Sequence, residues 1–367
     1  MSDHKVFIVA GTRPEAIKMA PVYKAMLKYD GLSPVLISTG QHREMLKQVF
    51  DWFEIKPDED LKVMTPNQTV NQVLSRSLVG LDELISKYQP DAVLAQGDTT
   101  TVLAAALAAF NNKVSFGHVE AGLRTHTLDR PYPEEGYRQM AARVAKWHFA
   151  PTQKSVEALE AENLSGDIFK VGNTVIDALL ETASRDHPPV VDSNGKDLVL
   201  ITGHRRENHD KFRAVFEAFK QLASEYPEKV FVYPVHLNPN VRNLAHEVLA
   251  GVTNFKLIEP VSYPEIVSLM KQAILILTDS GGIQEEAPSL KVPLLVMRET
   301  TERQESVDAG AAKLIGTDPD KIFSEARRLL DSEVERKKMI VDQNPFGDGA
   351  SALRICKIID NSLNTPS

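Results

Sequence analysis

What this chain lacks narrows it first. Cysteine occurs once, at Cys356, which leaves no internal disulfide to form and no cysteine-built metal cluster. No apolar run approaches the ~18 residues that a membrane-spanning helix needs. Lys and Arg number 42 against 50 Asp and Glu, and the net charge of −8 argues against a nucleic-acid surface. The N-terminus does not follow the charged-then-apolar layout of a secretory leader, so a cytoplasmic protein is the expectation. Neither GxGxxG nor a Walker A pattern is present, which removes most support for dinucleotide cofactors and ATP. Repeats of solenoid period and low-complexity tracts are missing as well.

What is there is an ordinary globular composition, 43% hydrophobic and 25% charged, over 367 residues. That length suits two domains, each with its own core. Short β-branched and apolar runs recur, among them "KVFIVAG", "PVLISTG", "DAVLAQGD", "KVSFGHVEAG" and "KWHFAPT". After the polar, turn-rich stretch at 184–197 the series restarts with "DLVLITGHRREN", "KVFVYPVHLNP" and "ILILTDSGG". Amphipathic stretches of helical length, such as 71–88 and 211–226, separate most of these runs. Strands alternating with helices predict βαβ units and parallel sheets, and strands apolar on both faces predict sheets covered on both faces. The expected architecture is α/β, with two Rossmann-like doubly wound domains facing a cleft at the carboxyl ends of their strands. The expected boundaries are 1–172 and 173–349, with a last helix in 350–367 packing back on the first domain.

Nearly every polar cluster follows one of these strands. In "GTRPEAIKMAP", Arg13 falls in the turn after a strand and Lys18 about one turn into a helix, where two cations suit an anionic ligand. Asp98 follows the next strand in "AQGDTTT"; taken alone, it serves equally well as a helix N-cap. "HVEAGLRT" brings His118, Glu120 and Arg124, and "RPYPEEGYR" brings Glu134 and Glu135 in a loop pinned by prolines. Acids gathered at one crevice raise one another's pKa, which is how proton-transferring carboxylates are tuned. In the second half, "TGHRRENH" carries His204, Arg205, Arg206 and Glu207, "PVHLNPNVR" carries His236, and "MRETTERQES" carries Arg298, Glu302 and Arg303. "ILTDSGGIQEEAPSL" breaks from strand to helix at Ser280-Gly281-Gly282, where free N–H groups fit phosphate oxygens. Glu286, one turn on, fits a ribose diol. Together these residues point to a diphosphate-linked sugar.

The motifs "GTRPEAIK", "GDTTT", "HVEAGLRT", "PEE", "TGHRREN", "YPVHLNPNV", "LTDSGGIQEEAP" and "RETTER", in this order, resemble the non-hydrolysing UDP-N-acetylglucosamine 2-epimerases. The resemblance spans residues 5–351. It implies a glycosyltransferase-B-like pair of Rossmann domains and reversible epimerisation at sugar carbon 2, by elimination and re-addition of UDP. The substrates so implied are UDP-N-acetylglucosamine and UDP-N-acetylmannosamine, interconverted for cell-surface polysaccharide precursors, with no nicotinamide, other cofactor or metal expected. It further implies acid/base residues at Asp98, Glu120, Glu134 and His204, and substrate binding by Arg13, Lys18, Ser280, Gly281, Gly282, Glu286 and Arg303. Uracil contacts fall near Val261 and Ile266. A homodimer is implied too, and some bacterial relatives take the UDP-sugar also as an allosteric activator, for which Gln41, Arg205 and His236 are the corresponding positions. Where relatives commonly have proline, this chain has Gln304. A 2-epimerase of a modified UDP-sugar, a hydrolysing epimerase, a glycosyltransferase of the same fold and a non-catalytic sugar-nucleotide sensor are the alternatives.

Overall fold

The computed structural model describes residues 3–41, 43–203, 212–235 and 238–365. The first series of elements is β1 (His4–Ala10), α1 (Arg13–Met26), β2 (Leu32–Ser38), α2 (Arg43–Trp52), β3 (Glu59–Asp60), α3 (Val70–Tyr88), β4 (Ala92–Gln96) and α4 (Thr100–Asn111). It continues through β5 (Ser115–Val119), α5 (Glu134–Val144), β6 (Trp147–Ala150), α6 (Gln153–Glu160), β7 (Asp167–Lys170) and α7 (Thr174–Ser184). The second series is β8 (Leu198–Thr202), α8 (Phe212–Glu225), β9 (Val230–Pro234), α9 (Pro239–Leu249), β10 (Phe255–Ile258), α10 (Tyr263–Gln272), β11 (Ala273–Thr278) and α11 (Gly281–Glu286). A 3-10 turn (Ala287–Leu290), β12 (Leu294–Val296), α12 (Gln304–Asp308), β13 (Ala312–Leu314), α13 (Pro319–Asp331), α14 (Glu333–Lys337) and α15 (Ser351–Asn364) complete it.

By internal contacts the chain divides into two compact units, Met1–Ala178 with Phe346–Ser367, and Leu179–Pro345. Each is built on one parallel sheet. Among the described residues the strand order is β3-β2-β1-β4-β5-β6-β7 in the first unit and β10-β9-β8-β11-β12-β13 in the second. Both orders reverse direction once, between β1 and β4 and between β8 and β11. Loops diverge there, leaving a crevice at the strands' carboxyl ends, the usual ligand position of such sheets.

Burial explains why these segments became strands. Val6 to Ala10 of β1 and Val199 to Ile201 of β8 are wholly buried, as central strands covered by helices on both faces must be. Phe7, Val9, Val35, Val93 and Phe116 form the first core with the alanine-rich face of α4, whose small side chains let that helix lie close to α3 and the sheet. Phe212, Phe216, Phe219, Phe231 and Tyr233 anchor the second core. In the first unit α15 packs on α1, and Ser362 Oγ accepts a 3.0 Å hydrogen bond from the buried Trp147 indole. No helix among the described residues is long and apolar enough to cross a membrane.

Two local expectations change. Arg13 is the first residue of α1, because Thr12 takes the N-cap and forms a capping box with Glu15. Glu134 and Glu135 stand in the first turn of α5 instead of a loop, where carboxylates suit the positive end of the helix dipole.

Candidate active site

In the first unit the chain's motifs converge where β1, β4 and β5 end. Gly11 must be glycine on packing grounds: a Cβ there would lie 2.2 Å from Thr101 Oγ1 and 2.3 Å from Thr39 Oγ1. The buried Glu15 carboxylate accepts from Gly11 N–H at 2.6 Å, from Thr12 N–H at 3.0 Å and from the Thr99 hydroxyl, tying the β1 loop to the β4 loop. Burial pushes this carboxyl above its usual range, against the pull of the Thr99 hydroxyl and the two N–H groups; the nearby charge of Asp98 adds to the push. The Thr12-x-x-Glu15 spacing is a sequence-level signal for this cap, but not for its bond to Thr99.

Glu120 is placed by backbone as much as by side chain. Its φ of +60° is left-handed, a conformation that costs a non-glycine residue roughly 1–2 kcal/mol and is sustained here by the Ala121 N–H to Phe149 C=O bond of 3.1 Å. Lys18 Nζ donates to both Glu120 oxygens, at 2.7 and 2.8 Å, and both side chains are nearly buried. Gln96 Nε2 and Asn173 Nδ2 also donate to this carboxylate, the latter at 3.2 Å. Lys18 is thus joined to an acid in this structure, and neither Gln96 nor Asn173 carries a sequence signal.

Asp98, just past β4, accepts from Arg138 Nη2 of α5. Arg138 Nη1 reaches Glu135 Oε2 at 3.1 Å. Glu134, on the same helix turn, has a buried Oε2 with no hydrogen-bond partner among the described residues.

His118 lies beneath this loop. Its Nε2 is 2.7 Å from the carbonyl of Gly97, the residue before Asp98. Burial depresses His118 to about 4, with the Gly97 carbonyl opposing, and burial likewise depresses its strand neighbour His148 to about 4. Both rings are neutral in the folded protein and titrate near 6.5 when unfolded. The unfolded chain therefore binds more protons between those values, so stability is complete above about 6.5 and falls as pH drops toward 4. His148, whose ring nitrogens have no partner among the described residues, permits a clean test. His148→Leu should match or exceed wild-type stability at pH 7, and the difference should widen by about 2 kcal/mol at pH 5, read by denaturant unfolding at both pH values. A constant difference would remove the histidine as the cause.

The second unit gathers its residues around the end of β11. Ser280 is the N-cap of α11, and its N–H donates to Thr278 Oγ1 at 3.0 Å. The Arg303 guanidinium lies over Gly281, where a Cβ would come within 3.2 Å of its Cζ, so glycine there admits the arginine. Arg303 Nε donates to the buried Glu285 at 2.9 Å. Glu286 accepts from the Tyr263 hydroxyl at 2.8 Å and is itself buried. Arg298 holds Glu302 at 2.9 and 3.3 Å; burial pushes the Glu302 carboxyl up, but Arg298 outweighs it and brings it to about 2. Val261 and Ile266 are half-buried at the start of α10, and Gln304 opens α12 with a 3.0 Å bond to Asp308. Gln41 is half-buried, its Oε1 without a partner among the described residues. His204, Arg205, Arg206, Glu207 and His236 lie outside the described residues.

Two doubly wound parallel sheets of this order define an α/β protein of the glycosyltransferase-B type. A structure described as the glycotransferase of kitacinnamycin matches that fold at 12% identity with a TM-score of 0.64. The carboxylates of the first unit and the glycine-opened helix of the second belong to something narrower. Residues 24–360 match the family model for UDP-N-acetylglucosamine 2-epimerase, and the chain belongs to that family. The UDP-N-acetylglucosamine 2-epimerase of Escherichia coli (strain K12) is 47% identical over 98% of this chain and 99% of its own length. That of Bacillus subtilis (strain 168) is 47% identical over 97% of this chain and 94% of its own. The crystal structure of the Neisseria meningitidis enzyme bound to UDP-GlcNAc superposes with a TM-score of 0.88 at 43% identity, covering 97% of this chain and 99% of that one.

Proposed function

We propose that this protein is an isomerase that interconverts UDP-N-acetylglucosamine and UDP-N-acetylmannosamine at sugar carbon 2, serving cell-surface polysaccharide synthesis in the cytoplasm. The observation that carries the reading is the Glu120 carboxylate, on a left-handed backbone and bonded by Lys18, Gln96 and Asn173, in a chain whose residues 24–360 match this family.

The chemistry runs by elimination and return. A carboxylate among Asp98, Glu120 and Glu134 takes the carbon-2 proton. The electron pair of that C–H bond forms the carbon–carbon double bond, and the bond from carbon 1 to the diphosphate oxygen breaks to release UDP. A proton then arrives on the opposite face, and UDP adds back at carbon 1. Carbon 2 is a weak acid, so departure of UDP carries much of the barrier. The N–H groups at Ser280, Gly281 and Gly282 and the cations Arg13 and Arg303 are assigned to the charge that develops on it. Glu286 is assigned to the ribose, and His204 joins the acid/base set on family grounds. The same reading includes a homodimer, testable by sedimentation, and activation by a second UDP-sugar near Gln41, Arg205 and His236, testable as sigmoidal kinetics.

One experiment tests the core. Purified protein with UDP-GlcNAc in heavy water should yield UDP-ManNAc carrying deuterium at carbon 2, because the abstracting carboxylate exchanges with solvent. Product that keeps its original hydrogen would sink the elimination. Stoichiometric free UDP and free sugar would show hydrolysis instead.

A further inference from the structure

The guanidinium of Arg138 does more than satisfy its own helix. An i,i+3 pair with Glu135 would be complete on α5 by itself. Arg138 instead also reaches a carboxylate 40 positions away on the β4 loop, through Nη2 to Asp98 Oδ2. Its side chain is only 5% exposed, whereas that of Asp98 is 26% exposed. An aspartate that open, on a short loop, has several side-chain rotamers available unless something holds it.

What holds Arg138 is equally specific. Nη1 donates to Glu135 Oε2 at 3.1 Å and approaches the Leu123 carbonyl at 3.4 Å. With Nη1 held by two acceptors at once, the plane of the guanidinium is restrained, and the direction in which Nη2 reaches Asp98 is set with it. Glu135 is fully buried and accepts from the N–H groups of Thr125 at 3.0 Å and His126 at 3.3 Å, and from Gln139 Nε2 at 2.8 Å. Burial works to raise this carboxyl, but those donors and the Arg138 charge hold it below its usual range, so it stays an anion facing the arginine. Burying an ion pair seldom adds net stability, and this one orders the chain from the loop after Glu120, through α5, to the loop after β4. Glu134 precedes Arg138 by four residues and shares its helix face. The bond that aims Asp98 therefore also sets α5, and Glu134 with it, against the end of β4.

We propose that Arg138, oriented by Glu135, is a positioning residue that sets Asp98 in register with Glu134 for proton transfer at carbon 2. This rests on the reading of Asp98 as an acid/base residue. The test is a double-mutant cycle on the full chain: wild type, Arg138→Lys, Asp98→Asn and the double variant. Steady-state kcat and KM are measured on UDP-GlcNAc, the slowest variants are followed by solvent deuterium uptake at carbon 2, and UDP affinity is measured by calorimetry. Lysine keeps the charge and loses the two-pronged grip. Arg138→Lys should lower kcat roughly ten- to a hundredfold, the usual cost of a misplaced catalytic group, with KM and UDP affinity within about twofold. In the Asp98→Asn background the same change should have less than about a threefold effect, because its target is already gone. Should Arg138→Lys fail to fold, Glu135→Gln carries the test, with an expected three- to tenfold loss in kcat and unchanged KM.

Wild-type kcat in Arg138→Lys, a loss confined to KM, or effects that multiply with Asp98→Asn would overturn the positioning role and leave the Asp98 reading standing. Wild-type turnover in Asp98→Asn would overturn the Asp98 reading and the positioning role with it.

Discussion

Glu120→Gln should lose turnover by about a thousandfold while binding UDP within about twofold of wild type. General acid–base catalysis contributes roughly 10²–10⁴ in rate, and an amide keeps the shape of the carboxylate without its capacity to carry protons. The surroundings make this position sensitive. The carboxylate has a lysine and two amide donors arranged around it, and the lysine sits in a nearly buried pair at 2.7 Å. Lys18 should consequently sort with the acids. Lys18→Met should cut kcat by at least about tenfold with a smaller effect on UDP affinity, because it leaves Glu120 misplaced and its charge unmatched. Calorimetric titration of UDP into both variants, beside their steady-state rates, checks the sorting. Loss of UDP affinity equal to the loss of rate in Lys18→Met would return that lysine to the nucleotide.

Arg303→Ala should produce the opposite pattern, with UDP bound ten- to a hundredfold more weakly and kcat at saturation within a few-fold of wild type. A charge-assisted contact is worth about 1.5–3 kcal/mol, and 1.4 kcal/mol is one decade of affinity. The guanidinium lies over Gly281, held from behind by the buried Glu285 at 2.9 Å. Removal therefore also leaves a buried carboxylate without its cation, and a drop in melting temperature should accompany the loss of affinity. Glu285→Gln separates the two consequences: Arg303 remains to meet the diphosphate, so UDP affinity should fall by less than about fivefold. An Arg303→Ala variant that binds UDP as tightly as wild type would remove this arginine from the nucleotide.

Much of the candidate site was legible in the sequence because its parts sit at predictable places on predictable elements. Strand runs such as Val6 to Ala10 declare themselves by being apolar without alternation, and a parallel sheet puts its ligand groups at strand ends. That logic brought Arg13, Asp98, Glu120 and Ser280 into view one by one. Glu134 and Glu135 were legible as a pair but not as different groups. Among the described residues Glu134 keeps a buried oxygen without a partner, while Glu135 bonds Thr125, His126, Arg138 and Gln139. Residues with no signature of their own stayed hidden: Gln96 and Asn173 are ordinary amides until the chain brings them to Glu120.

Local physics, written in the chain, was enough for the elements, the doubly wound class and the glycine-opened helix at 280–282. Periodicity and capping act over a few residues, and the family's motifs are each one short continuous stretch of chain, most of them at a strand's end. Partnership is another matter, because a charge chooses its neighbour across the sheet. Lys18 reads as an anion-binding lysine in sequence and is bound to Glu120, 102 residues on, in the fold. Arg138 reads as one more helix cation and proves to link Asp98 to Glu135. The left-handed backbone of Glu120 is likewise invisible in a one-dimensional string, since nothing in a glutamate's own chemistry favours it and the surrounding structure must sustain it. Such couplings depend on which loops the strand order β2-β1-β4-β5 sets side by side, and that order exists only once the sheet has formed.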